Sequence, residues 1–275
     1  MSGFFVLGML VAFGAGGATA APNPLPRPAH VVVIVEENKS GWQIVGNRRN
    51  APYINELIDR GALFTHAHGV THPSLPNYFA LFAGETNTNR DDCPALGIPR
   101  DAPNLASELH AVHLSFAGYS ESLPQPGFTG CWAGRYARKH APWVHFSNVP
   151  PSENLPFSKF PAYDNLPTVS FVIPDVEDDM HDGSIAEGDA WLSKKLGPLV
   201  AWAATHDTLI VLTWDEGNDP FNTIPTLFYG PMVQPGRYAE RVDHYRVLRT
   251  LEDLYGLPHA GQSGSVTPIT DCWRS

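Results

Sequence analysis

His30-Val31-Val32-Val33-Ile34-Val35-Glu36-Glu37 is a run of mostly β-branched residues closed by two acids. Five apolar residues in a row without polar alternation predict a strand covered on both faces, the signature of a sheet sandwiched between helices. Similar runs recur at His113–Tyr119, Thr168–Asp175, Thr208–Glu216 and Thr226–Val233. Between them the spacing predicts helices at Pro52–Arg60, Pro76–Phe82, Asn104–His110, Ala186–Ala204 and His244–Tyr255. Asp243 is placed to cap the last helix, Gly256 and Pro258 to stop it, and Gly197-Pro198 to kink or split the long one. Alternating strands and helices imply an α/β layer architecture around a mostly parallel sheet, in one domain over 29–275.

Upstream, Phe4 to Phe13 is a short apolar block followed by Ala18-Thr19-Ala20, the A-x-A form of a signal-peptidase site. Residues 1–21 therefore read as an export signal and 22–28 as a Pro-rich linker, which implies a secreted or periplasmic protein. A buried helix is the alternative, because no Lys or Arg precedes the block. No later stretch approaches the roughly 20 apolar residues of a membrane span. In an oxidising compartment, Cys93 and Cys131, both in turn-rich sequence, are the expected disulfide, with Cys272 left over; three buried thiols are the alternative. The formal charge of -10 argues against a nucleic-acid partner. Twelve His set against that charge make the sign of the molecule depend on pH.

In open α/β sheets ligands sit beyond the carboxyl ends of the strands, and polar groups collect there. Glu36-Glu37-Asn38 ends the first run and Asp215-Glu216 the fourth, together offering hard oxygen donors for a divalent cation. Asp175 to Gly183 is a dense acidic loop, but Met180 occupies the position where a calcium loop of EF-hand type needs its glycine. Within it His181 lies between Asp179 and Asp182, placed to donate a hydrogen bond to phosphate or a proton to a leaving group. Thr71-His72-Pro73-Ser74-Leu75-Pro76-Asn77-Tyr78 puts a serine at the start of a helix, where it is either an ordinary cap or a hydroxyl facing an anion. His66 and His68 alternate, which is more often structural than ligating. Arg135, Arg138, Lys139 and His140, with Trp132, Tyr136 and Trp143, read as a solvated helix face or as a peripheral contact with anionic lipid head groups. No G-x-S-x-G elbow, H-E-x-x-H or P-loop is present.

Taken together, E-N at the first strand end, T-H-P-S-x-P-N-Y, Y-A-R-K-H-x-P-W, D-M-H-D-G-S-I-A-x-G-D-A-W, T-W-D-E and H-Y-x-V-L-x-T-L-E resemble the bacterial phosphoesterase family of acid phosphatases and phospholipases C. The resemblance implies a three-layer α/β/α sandwich of alkaline-phosphatase-like type and a metal-assisted serine nucleophile. It places metal ligands at Glu37, Asn38, Ser74, Asp215 and Glu216 and the nucleophile at Ser74. His181 would serve as catalytic group, and His181, His244, Asn77 and His72 would contact substrate. Donors that are all oxygen favour calcium or magnesium, and a histidine ligand would shift the choice to zinc. The implied substrate is a phosphorylated small molecule or phosphoinositide head group, hydrolysed as a monoester in mild acid; a phosphodiesterase of phospholipase C type is the alternative. Asp175 and Glu177 depart from the residues expected in relatives.

Overall fold

The structure, a computed structural model, describes residues 25–274; the expected export signal at 1–21 and the start of the linker lie outside them. Ten strands occur in this range: β1 (His30–Glu36), β2 (Ala62–His68), β3 (Phe116–Ser120), β4 (Trp132–Ala133), β5 (Tyr136–Ala137), β6 (Asn154–Pro156), β7 (Val169–Ile173), β8 (Thr208–Trp214), β9 (Thr226–Tyr229) and β10 (Gly236–Asp243). Eight of them form one sheet in the order β10-β2-β9-β8-β1-β7-β3-β6, and β4 and β5 pair as a separate small hairpin. Within the large sheet β9 runs antiparallel to β2 and β8, and every other pairing is parallel. β1 lies between β7 and β8, and Val31 to Val35 are buried, as the unbroken apolar run requires.

The helices are α1 (Gly41–Ile44), α2 (Pro52–Arg60), α3 (Ser74–Ala83), α4 (Leu105–Ala111), α5 (Ile185–Trp191), α6 (Gly197–Ala203) and α7 (His244–Tyr255). α2 starts on Pro52, whose missing N–H costs nothing at a helix start. The Asp243 carboxylate accepts a hydrogen bond from the Arg246 N–H to cap α7, and Gly256 closes it at φ 66°. Ser184 and Glu187 form a reciprocal capping box on α5. The long helix expected at Ala186–Ala204 is indeed split: a π-helical turn over Leu192–Leu196 separates α5 from α6, which restarts at Gly197-Pro198. All ten residues of α3 are buried, so the helix that begins at Ser74 is embedded in the core.

Two expectations fail for the same reason. β10, with every second residue exposed and a charged sequence, shows no apolar run because it lies at the sheet edge. The basic stretch from Arg135 is not a solvated helix face: it forms β5 and two short 3-10 turns, with Tyr136, His140 and Trp143 buried. Cys93 and Cys131 are bonded and Cys272 is a buried thiol, so the pairing expected from the sequence is found. Among the described residues no helix is long and apolar enough to cross a membrane.

Candidate active site

Parallel pairing of β1 with β8 sets Glu36 level with Trp214, so the residues that follow each strand emerge side by side. Glu37, Asn38, Asp215 and Glu216 thereby meet at the carboxyl edge of the sheet. Asn38 takes φ 52°, a left-handed conformation that asparagine tolerates, and its main-chain N–H donates to Asp215 Oδ1 at 3.1 Å. Gly217 lets the chain turn back: a Cβ there would lie 2.2 Å from the Thr223 carbonyl oxygen. Ser74, the first residue of α3, donates its hydroxyl to Glu37 Oε2 at 3.1 Å, and Asn38 Nδ2 donates to the same oxygen at 3.0 Å. Tyr78, one turn along α3, donates to Glu37 Oε1 at 2.6 Å. Ser74 hydrogen bonding also helps hold the Asp215 and Glu216 carboxyls down, against burial that raises both. Burial, with the charges of Asp215 and Asp91, leaves Glu216 pushed up to about 8.

A second arm arrives from the other side of β1. The Asp175–Gly183 loop leaves the end of β7 and turns at Met180, which adopts φ 77° where an EF-hand loop would have glycine, a conformation costing about 1–2 kcal/mol. That turn separates Asp179, fully buried, from the more exposed His181. His140 lies between the two arms, its Nε2 3.1 Å from Glu37 Oε1 and its Nδ1 3.2 Å from Asp179 Oδ2. Its ring stacks on Tyr78 with centroids 5.3 Å apart. Burial, reinforced by Lys139 and His181, holds His140 well below the usual imidazole range, so the ring is neutral. Lys139 Nζ is 3.0 Å from Asp91 Oδ2 and 3.4 Å from His181 Nε2. Burial works to lower the Lys139 ammonium, but Glu37 and Asp91 outweigh it and hold its pKa up. Asp91 also accepts from the Leu75 N–H at 2.9 Å, which ties this cation to the start of α3.

The sequence matches the phosphoesterase family over residues 47–258. The chain belongs to that family. It is 52% identical, over 92% of its length and 85% of the relative's, to a Mycobacterium tuberculosis phosphatidylinositol-3-phosphatase. A phosphate-repressible acid phosphatase of Penicillium chrysogenum is 29% identical over 76% of this chain, which spans about half that longer relative (55%). The fold resembles a protein of the alkaline phosphatase superfamily from Vibrio parahaemolyticus, with a TM-score of 0.63 at 13% identity, covering 90% of this chain and 73% of that one. The α/β architecture expected from strand alternation is therefore the alkaline-phosphatase-like one.

In this phosphoesterase the expected cluster of Glu37, Asn38, Ser74, Asp215 and Glu216 comes together, whereas the four expected substrate contacts divide. His72 Nδ1 lies 2.6 Å from Glu216 Oε2 with its ring half exposed, and His181 Nδ1 lies 2.7 Å from Asp182 Oδ1. Both border the cluster. Asn77 does not: its Oδ1 accepts from the Val70 and Thr71 N–H groups and its Nδ2 donates to the Thr71 and Pro73 carbonyls, so all its capacity pins the serine loop from beneath. His244 is also corrected. Its ring is buried and its Nε2 lies 2.6 Å from the main-chain carbonyl of Asp215, behind the strand end rather than facing substrate. His68 is structural, with Nδ1 2.9 Å from the Phe221 carbonyl.

His140, Asp179, Lys139 and Asp91 were not singled out as site residues. The Y-A-R-K-H-x-P-W match was the available signal for Lys139 and His140, but the local basic pattern read as surface. Their arrangement suits a cation. Asp215 Oδ2, Asp179 Oδ2 and His140 Nε2 are buried without a hydrogen-bond partner, and Glu37, His140 and Asp179 bring ligand atoms within 4.8 Å of one another. A buried acid cluster with such orphaned atoms is compensated by a bound positive charge.

Proposed function

We propose that this phosphoesterase is an exported phosphomonoesterase that uses Ser74 as nucleophile on phosphate monoesters, phosphoinositide head groups among them. The hydrogen bond from Ser74 Oγ to Glu37 Oε2 carries the reading, because it fixes a hydroxyl at a buried helix start against the densest carboxylates of the molecule. Support for the substrate class comes from the 52% identical phosphatidylinositol-3-phosphatase and the fungal acid phosphatases. The A-x-A site at Ala18–Ala20 and the Cys93–Cys131 disulfide support export, with 1–21 removed and 29–275 forming the catalytic domain.

Glu37, Asn38, Asp215 and Glu216, with Ser74, would hold a divalent cation, which when bound supplies charge that favours the serine alkoxide and offsets the phosphoryl oxygens. Oxygen donors alone suit calcium or magnesium, whereas recruitment of the adjacent neutral His140 would suit zinc. The residues of the chain divide the remaining work. Glu37 Oε2 receives the Ser74 proton as Oγ bonds to phosphorus. Lys139, held cationic beside Asp91, lies within reach of a phosphoryl oxygen at His181 and offsets its charge. His181 gives a proton to the departing alcohol oxygen as the ester P–O bond breaks. Water then attacks the phosphoserine, losing its proton to the same imidazole and regenerating the Ser74 hydroxyl.

Ser74→Ala is expected to lower turnover of a soluble phosphate monoester by at least about 10³-fold while the circular-dichroism spectrum is unchanged. Acid-quenched wild-type enzyme should carry a phosphate on Ser74 by peptide mass spectrometry. Wild-type rates in Ser74→Ala would remove Ser74 from the mechanism. Paired assays on a monoester and its diester set the preferred class, and elemental analysis of the purified protein gives the metal.

A further inference from the structure

The exposed large apolar side chains are not spread evenly. Among the described residues they are Trp42, Leu96, Val112, Trp132 and Phe221, and all but Val112 and Leu96 lie on loops that follow strand ends at the active-site edge. Trp42 (72% exposed) stands on α1, just after Glu37-Asn38, and Phe221 (77%) on the loop after Asp215-Glu216. That loop is tied to the serine loop, since Asn222 Nδ2 donates to the Thr71 carbonyl while its Oδ1 accepts from the Gly217 N–H. Trp42 and Phe221 thus project from the same two segments that deliver the acidic cluster.

Beside Trp42 a cavity of about 300 Å³ opens, lined by Val45, Leu63, Ala67, Ile224 and Arg237. The volume falls at the lower end of pockets that hold small organic ligands, about 300–1,000 Å³. Leu63 and Ala67 are on β2, whose far end continues directly into the loop carrying Ser74, so the apolar groove leads toward the nucleophile. Arg237 is level with Leu63 across the β10–β2 pairing and forms no ion pair among the described residues. An apolar groove with one free guanidinium complements an amphiphile with an acyl chain and an anionic phosphate. Exposed aromatic rings beside it suit the boundary between head groups and acyl chains.

We propose that this groove receives an acyl chain of a membrane phospholipid while Trp42 and Phe221 enter the bilayer interface, presenting the phosphorylated head group to Ser74. The inference rests on the phosphoinositide reading of the substrate, and the test separates the two.

Wild type and a Trp42→Ser/Phe221→Ser variant are assayed on para-nitrophenyl phosphate, on water-soluble dibutanoyl phosphatidylinositol 3-phosphate, and on the dipalmitoyl lipid in phosphatidylcholine vesicles. The variant should keep kcat/KM on both soluble substrates within about twofold, lose about tenfold or more on vesicles, and no longer float with them. Equal loss on every substrate, or no loss on vesicles, overturns the proposal. A wild type that turns over para-nitrophenyl phosphate but not the dibutanoyl lipid would defeat the phosphoinositide reading; flotation of wild type against the variant then still decides the docking surface. Conversion of a wild-type dimer to monomer by the two substitutions, seen by sedimentation, would assign the patch to a second copy of the chain and overturn the lipid assignment.

Discussion

Glu36 and Glu37 are consecutive, both fully buried, and opposite in their surroundings. Glu37 accepts hydrogen bonds from Ser74, Asn38 and Tyr78 and has His140 against it. Neither Glu36 oxygen has a partner, and burial followed by the charges of Asp179 and Asp178 drives its carboxyl well above the usual range. Burial also raises Glu37, with Asp215 and Asp179 adding to it, but the Tyr78 hydrogen bond opposes the shift. One face of the sheet thus equips an acid with donors and orphaned neighbours for ionic chemistry; the other leaves its acid neutral. Burial alone does not make an acid functional, and the groups aimed at it decide.

The largest effect should come from removing the equipped acid. Glu37→Gln is expected to reduce monoester turnover by about 10²–10³-fold and to lower bound metal, read by elemental analysis of the dialysed protein. Full activity with unchanged metal content would break the contrast between the two glutamates. His140→Asn tests the inner arm. A loss of about 10–100-fold with weaker metal retention is expected if the imidazole is a ligand or holds one, whereas unchanged metal with a lower melting temperature would make His140 only a packing residue.

Glu36→Met is the reverse test: it replaces an unpartnered neutral acid with an apolar group of similar size. Activity should stay within about twofold and the melting temperature should hold or rise, by the rule that an unsatisfied buried polar group costs about 1–3 kcal/mol. A large loss of activity would make Glu36 part of the site.

The smallest effect repeats the contrast away from the active site. Glu108, with Oε2 unpartnered, is pushed by burial and by Glu252 up to about 8. Glu252 is raised by burial to about 7, and it accepts from Ser263 and the Ala260 N–H. A carboxyl raised in the folded state binds its proton more tightly there than in the unfolded chain, where it titrates near about 4.3. Its contribution to stability is complete below that value and is lost as pH rises toward about 8. Glu108→Gln should therefore flatten the fall in melting temperature between acidic and mildly basic pH, measured by scanning fluorimetry. An unchanged slope would refute the assignment.

What was legible in the sequence was local. The apolar run of β1 and its counterparts predicted a sheet covered on both faces, and polar residues directly after β1 and β8 marked where chemistry would sit, because strand alternation is written in neighbouring residues. Strand pairing then explains why Asn38 and Asp215 touch across 177 residues of chain. Three decisions belonged to the tertiary structure alone. Asn77 and His244, expected at the substrate, are turned to backbone groups that the strand and loop ends leave without partners. His140, in a stretch whose charges read as surface, is drawn inward between Glu37 and Asp179. Of the adjacent acids Glu36 and Glu37, only the sheet's two coverings distinguish which is served by donors. In each case residue type was visible in the sequence, but direction was not, since a side chain's partners come from distant segments that only packing brings into contact.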